Sequence, residues 1–301
     1  MAEGIVIIDK AADWTSMDVC AKLRGILKTK KVGHAGTLDP MATGVLPVFV
    51  GQATRGVSFA ESGEKEYVAT LRLGLTTDTQ DSTGNVLTTA PVAVTAEDVA
   101  SVLPQFTGDI QQIPPMYSAI KINGQKLCDL ARRGKEVERA PRTIIIHALD
   151  FLGMEGELVR LRVHCSKGTY IRTLCHDIGA KLGCGACMTS LVRTKVGIFT
   201  IDGSLTLAEL KKLSDEDRVS EKIILPDKMF PELKSCHTTK DGDRAVHNGN
   251  PFVAKDTLEG SALPKDEQFL VYDSDGVFIG IFSFRSQKRM FFPDKMFYGV
   301  G

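Results

Sequence analysis

The sequence predicts a mixed α/β (α+β) fold with a small β-barrel at its C-terminal end. Three observations carry that expectation. Period-2 and period-3.6 hydrophobic patterns succeed one another from Gly4 to Leu182, so strands and helices are interleaved. From about Lys234 onward the pattern changes to short strand-like runs, Phe269 to Tyr272 and Val277 to Phe284, separated by Gly and Asp turns. The chain of 301 residues, 43% hydrophobic and 25% charged, can bury a sizeable core and suggests about two domains.

Each element has a local reason. Gly4 to Asp9 is a short apolar run suited to a buried strand, and Thr15 or Ser16 then caps a helical pattern reaching about Lys28. Val32 to Gly51, punctuated by Gly and Pro without a clean period, reads as a loop with short elements on either side. Tyr67, Ala69, Leu71 and Leu73 alternate with Val68, Thr70 and Arg72, as a half-buried strand requires. Thr95 starts a second helix that ends before Gly108. Leu161, Val163 and Cys165 alternate with Arg160, Arg162 and His164, giving a strand with one apolar and one basic face. Ile171, Leu174, Cys175, Ile178 and Leu182 fall at helical spacing, stopped by Gly183. A charged helix is expected near Asp215 to Glu221, and Pro226 and Pro231 bracket the boundary that follows it.

Composition excludes several classes of function. No stretch approaches the ~18 apolar residues of a membrane helix, and Ile5 to Ile8 is too short for a signal peptide, so a cytoplasmic protein without a membrane partner is expected. Seven scattered cysteines argue for reduced thiols rather than a disulfide framework. No Walker A loop or dinucleotide fingerprint is present. The net charge is zero but unevenly spread. Val19 to Gly33 holds five bases and no acids, and Lys121 to Arg142 holds seven bases against three acids. Glu61 to Asp98 supplies the counterweight, with seven acids and two bases. The basic segments could form one phosphate-tracking face if the fold joins them; their ordinary reading is a pair of solvated helix faces.

The residue that stands out chemically is Asp39, within Gly33-His34-Ala35-Gly36-Thr37-Leu38-Asp39-Pro40-Met41-Ala42-Thr43-Gly44. Flanking glycines permit close backbone approach and Pro40 fixes the residue after the carboxylate. Taken alone, an Asp-Pro pair is equally a helix cap with Pro at the first helical position.

This segment resembles the nucleophile motif of the TruB-type tRNA pseudouridine synthases, and the resemblance continues in order along the chain. It runs through Lys65-Glu66-Tyr67, Leu73 to Asp81, Pro114 to Lys121, Ser166-Lys167-Gly168-Thr169-Tyr170-Ile171-Arg172 and Leu191-Val192-Arg193-Thr194. Arg244 to Gly249 is similar to the start of the family's C-terminal PUA domain. The resemblance implies a catalytic domain over 1–230, built on a mixed, largely antiparallel sheet, and a PUA-like RNA-binding barrel over 231–301. It implies isomerisation of the T-loop uridine at position 55 of tRNA, with no cofactor. Asp39 would be the nucleophile, Arg172 its ion-pair partner, and Tyr67 a stacking residue that also removes a proton. Leu191 would wall the base pocket and His34 would lie near the displaced bases, because the target must leave its stack. Lys10, which stands at the family's Lys in Asp9 to Ser16, and Lys167 and Tyr170, in the motif that ends at Arg172, are substrate-binding candidates, and Lys121, Lys126, Arg132 and Arg133 are candidates for backbone phosphates. The partner implied is tRNA, through its T stem-loop and its acceptor end; no metal and no obligate protein partner is expected, and a monomer is.

Two departures and three rival readings stand beside the resemblance. Asp9 to Ser16 lacks the Pro and Gly usual after the family's Lys, which predicts a less constrained backbone there, and Cys128 stands where an aromatic is usual. Cys184 and Cys187, with Cys175 and His176 upstream, raise zinc or a zinc deaminase; that pattern needs His-x-Glu and a Pro before the first Cys, whereas His176 is followed by Asp177 and Ile178, and Gly183 precedes Cys184. An RNA chaperone acting by binding alone would use the same basic face and tolerate loss of Asp39. A guide-RNA-dependent synthase acting on rRNA is the nearest other substrate class.

Overall fold

The computed structural model describes residues 3–260 and 266–298. Its elements run in order β1 (Gly4–Lys10), α1 (Ser16–Ile26), β2 (Val32–His34), β3 (Thr43–Val50), α2 (Val57–Ser62), β4 (Lys65–Leu73), β5 (Leu75–Thr77), β6 (Val86–Thr89) and α3 (Ala96–Val102). There follow β7 (Gly108–Gln112), β8 (Lys121–Ile122), β9 (Gln125–Lys126), α4 (Leu127–Arg132), β10 (Arg142–Glu155), β11 (Leu158–Cys165), α5 (Ile171–Lys181), β12 (Ala186–Val196), β13 (Phe199–Thr200) and α6 (Leu207–Asp215). The last part comprises β14 (Lys234–His237), α7 (Lys240–His247), β15 (Phe252–Val253), β16 (Gln268–Tyr272), β17 (Phe278–Arg285) and β18 (Met290–Met296).

The main sheet has the order β1-β3-β12-β4-β11-β10-β7, with β2 and β13 attached at its flank. All its pairings are antiparallel except β12 on β3, which is parallel at Val192↔Thr43 and Arg193↔Gly44. This is the mixed, largely antiparallel sheet expected. One face of its centre buries Tyr67, Ala69, Leu71, Val159, Leu161 and Val163 against Ile171, Leu174 and Ile178 of α5 and Val99 of α3. At the other end of the sheet α1 and α6 cover Val6, Ile8, Leu46 and Val48. The C-terminal strands form a second, five-stranded sheet, β14-β16-β17-β18-β15, around a phenylalanine-rich core containing Phe252, Phe269, Phe282, Phe284 and Phe291. It is a curled half-barrel of PUA-like form. Among the described residues no helix is long and apolar enough to cross a membrane.

Capping explains several helix starts. Thr15, Thr95 and Thr206 each accept a hydrogen bond from the backbone three residues on, where Asp18, Asp98 and Glu209 reciprocate. Three local expectations change. Val32 to Gly51 is not a loop flanked by elements but two strands separated by the Asp39 loop, and β3 is almost wholly buried. Its Pro47 is tolerated because the Pro47 carbonyl accepts from Ala35 N–H at 3.0 Å, on the side away from β1. Its nitrogen points the same way, so the β1–β3 ladder loses no donor. The charged helix expected near Asp215 to Glu221 ends at Asp215, and Val219–Lys222 is a separate 3₁₀ turn. The C-terminal unit contains α7, which the strand-like pattern had not indicated.

Candidate active site

Asp39 lies in the loop joining β2 to β3, and the β1–α1 turn clamps it on both sides. The Ser16 hydroxyl accepts from Leu38 N–H at 2.9 Å, while Lys10 Nζ and Asp13 N–H donate to the Pro40 carbonyl at 3.0 and 2.9 Å. Lys10 is fully buried and also donates to the Ala11 and Trp14 carbonyls, at 2.9 and 2.7 Å. The turn lacking Pro and Gly is therefore pinned by one ammonium group, even though Asp13 sits at φ 65°. Asp39 starts no helix; Ala42 N–H closes a turn onto its carbonyl. The glycines of this motif are close-approach positions. A Cβ on Gly44 would stand 2.2 Å from the Arg193 carbonyl, and one on Gly36 would stand 3.3 Å from the Arg193 guanidinium.

Arg172, in the first turn of α5, is buried and gathers the loops of three other motifs. Its Nε and Nη2 grip the two Asp39 carboxylate oxygens at 3.0 and 3.3 Å, a bidentate pair. Nη2 also donates to the Tyr117 carbonyl at 2.8 Å, and Nη1 donates to the Thr79 carbonyl at 3.1 Å and faces Asp81 at 3.6 Å. Asp81 is itself oriented by Thr79, Thr83 and the Thr83 amide. Burial pushes the Asp39 carboxyl above its ordinary range; Arg172 opposes this and the Asp81 charge adds to it.

Tyr67 and Leu191 lie on adjacent strands, in the buried cluster that includes Leu38 beside Asp39. Burial raises the Tyr67 phenol, and the nearby Arg193 guanidinium opposes the rise. Lys65, two residues earlier on β4, is buried with its Nζ on the Glu61 and Gly63 carbonyls, each at 2.6 Å, and burial lowers it to about 8. His34 ends β2 half-buried, its Nδ1 without a hydrogen-bond partner, and burial lowers its pKa. Tyr170 is the residue preceding α5, locked by a reciprocal pair of hydrogen bonds to the Gln112 side chain at 2.8 and 3.0 Å.

The remaining candidates lie away from this buried cluster. Lys121, Lys126, Arg132, Arg133 and Lys167 are all exposed. Lys121 and Lys126 face one another across the β8–β9 hairpin, and Arg132 pairs with Asp129 at 3.5 Å. As for zinc, among the described residues no group of three or more His, Cys, Asp and Glu side chains is arranged to hold a metal. Cys187 lies within β12 and Cys184 before it, both buried.

The TruB family pseudouridylate synthase N-terminal domain matches residues 24–171, and the tRNA pseudouridylate synthase B C-terminal domain matches residues 172–230. The chain belongs to the TruB family of pseudouridine synthases. It is 48% identical to tRNA pseudouridine synthase B of Lachnoclostridium phytofermentans, over 98% of this chain and 99% of that protein. It is 41% identical to the protein of that name from Clostridium acetobutylicum, over 93% of this chain and 94% of that one. Among solved structures it is similar to an H/ACA RNP bound to a substrate RNA containing 2′-deoxyuridine, at TM-score 0.72 and 25% identity, covering 98% of this chain and 85% of that one. A Cbf5-Nop10-Gar1 complex gives TM-score 0.72 at 28% identity, covering 98% and 84%.

The TruB motifs of the sequence thus converge in space, since Asp39, Thr79, Asp81 and Tyr117 all meet Arg172. Three of the groups assembled here were not among the sequence-derived candidates: Asp81, Lys65 and Arg193. All three stand inside those motifs, and that membership was the available signal.

Proposed function

We propose that this TruB-family enzyme converts uridine to pseudouridine at position 55 in the T loop of tRNA, with Asp39 as the nucleophile. The observation that carries the reading is the bidentate Asp39–Arg172 pair, held beside the buried apolar cluster that contains Leu38, Tyr67 and Leu191. A carboxylate fixed by a guanidinium is aimed and cannot swing away, and the apolar side chains beside it would flank one flipped base. Isomerisation breaks the bond from C1′ to N1 and forms one from C1′ to C5; the C5 proton leaves and N1 gains a proton. Atoms and electrons balance without oxidant, nucleotide or metal, so no cofactor is assigned. Asp39 forms the transient covalent bond, on base or sugar, and Tyr67 would stack on the base and take the C5 proton.

The exposed Lys121, Lys126, Arg133 and Lys167 would meet RNA phosphates, and His34, at the mouth of the Asp39 loop, would meet the bases displaced by flipping. Lys10 and Tyr170 support the loops that the substrate touches. Residues 1–230 would be the catalytic domain, and 231–301 a PUA-like domain holding the acceptor end of the same tRNA. The enzyme is read as a cytoplasmic monomer without an obligate protein partner. The test is single-site pseudouridine mapping on an unmodified tRNA transcript, with Asp39→Asn beside the wild type and RNA binding measured for both. Conversion of the T-loop uridine by wild type, with binding but no conversion by Asp39→Asn, is the expected result. Full conversion by Asp39→Asn would overturn the assignment, and binding by both with conversion by neither would favour a chaperone.

A further inference from the structure

Arg193 is the largest fully buried side chain among the described residues, and the isomerisation as proposed leaves it without a role. It stands on β12 directly opposite Tyr67 on β4, and its Nε donates to the Val45 carbonyl at 2.8 Å and its Nη2 to the Gly36 carbonyl at 3.0 Å. Among the described residues it forms no ion pair with a carboxylate. A buried guanidinium satisfied only by two carbonyls is costly, and a purely structural position in a strand would be served by an apolar side chain. Its three neighbours bear on the site. Gly36 belongs to the loop that carries Asp39, Val45 is the third residue of the strand that follows that loop, and Tyr67 is the aromatic across from it.

We propose that Arg193 is a positioning residue for the isomerisation, joining the Tyr67 phenol to the backbone of the Asp39 loop so that ring and carboxylate keep one separation. This rests on the proposed function and deepens it. The guanidinium lies across the β12–β4 pairing from Tyr67, and its charge favours the ionised form of the phenol. The other groups facing that phenol are Cys165 from β11 and Asp39 from its loop, both of which disfavour ionisation. A lysine has no fork to hold both carbonyls while keeping its charge beside the phenol. The packed glycines agree: Gly36 and Gly44 leave room for the Arg193 side chain and main chain respectively.

The test compares wild type, Arg193→Lys, Arg193→Met, Tyr67→Phe and the double variant Arg193→Lys/Tyr67→Phe in the full chain. Single-turnover conversion of a T-loop RNA and the Kd for that RNA are measured alongside the phenolate absorbance of Tyr67, obtained by subtracting the Tyr67→Phe titration. The expected result is a loss of about 100-fold in conversion rate for Arg193→Lys with Kd nearly unchanged. Tyr67 should ionise at higher pH in either Arg193 variant, and the two losses should be non-additive in the double variant. A folded Arg193→Lys with wild-type rate overturns the proposal, as does an unchanged Tyr67 titration accompanying a reduced rate, which would mark a structural role only. Where Arg193→Met does not fold, Arg193→Lys carries each measurement. The phenol titration needs no substrate, so failure of the wild type to isomerise uridine would sink the functional reading while leaving the Arg193–Tyr67 link separately measured.

Discussion

Asp39 experiences two opposed influences whose balance can be read in a pH profile. Burial disfavours its charge and Arg172 favours it, with burial the larger, so its carboxyl titrates above the ordinary range. A nucleophile must be ionised, hence the conversion rate should fall on the acid side around a midpoint above that of an ordinary aspartate. Arg172→Met removes the influence that lowers the pKa, so the midpoint should move to still higher pH while the rate at the plateau drops. The measurement is single-turnover rate against pH for both proteins; a midpoint that moves down or stays fixed in Arg172→Met would contradict the assignment. At this scale the sequence was informative where chemistry lies in contiguous motifs, and Asp39, Tyr67, Arg172, Leu191 and Lys10 do share one neighbourhood. Beyond their membership of those motifs it did not mark Arg193 and Lys65 as buried, because a charged residue at an inward strand position breaks the period that would place it inside. Only the carbonyls that receive them, those of Glu61 and Gly63 for Lys65 and of Val45 and Gly36 for Arg193, reveal why such a residue can be there.

Elements whose residues follow one period were legible, and the exceptions have physical causes. β4, β11 and α5 fall where alternation or helical spacing put them, each with its apolar face in the same core. β3 was hidden because Gly44 and Pro47 resemble loop punctuation, although one permits close approach to β12 and the other faces away from the β1 ladder. The β8–β9 hairpin makes a different point. It sets Lys121 directly opposite Lys126, both exposed, and like charges in such a pair disfavour the hairpin unless an anion lies between them. Lys121→Glu should therefore tighten the free hairpin by about 0.2–1 kcal/mol relative to a neutral pair while weakening RNA binding. Hairpin amide exchange should slow, and the slope of log K against log salt should shrink by about 0.7–0.9 for each phosphate that the protein ceases to neutralise. Binding and slope both unchanged would remove this hairpin from the RNA interface.

Across the whole molecule, the two sheets are joined by a few aromatic and polar contacts rather than by strand pairing. Phe230 packs edge-on against Phe59 of α2 at 5.1 Å and against Phe297 at 6.4 Å, and it shares a buried cluster with Leu270 and Ile281 of the C-terminal sheet. Tyr272 of β16 donates to Asp227 at 2.9 Å, and Arg55 donates to the Tyr298 carbonyl at 3.2 Å. Beside them runs a groove of about 410 Å³ lined by Phe59, Phe199, Met229, Phe230, Leu233 and Ile281, so this junction is not packed to the density of either core. The order of the two units is visible in the change of sequence pattern near Pro226, but their junction is not, because it depends on single aromatics far apart in the chain. If one tRNA spans the Asp39 site and the C-terminal sheet, the angle between them sets how many contacts form at once. Phe230→Ala leaves an aromatic-sized void at the hinge of that arrangement and should cost about 3–5 kcal/mol of stability. It should lower the affinity for full-length tRNA more than that for an isolated T stem-loop, because only the longer RNA draws on both sites. Calorimetry together with Kd for the two RNAs checks this, and equal losses on both substrates would mean that the C-terminal sheet contributes nothing to holding the tRNA.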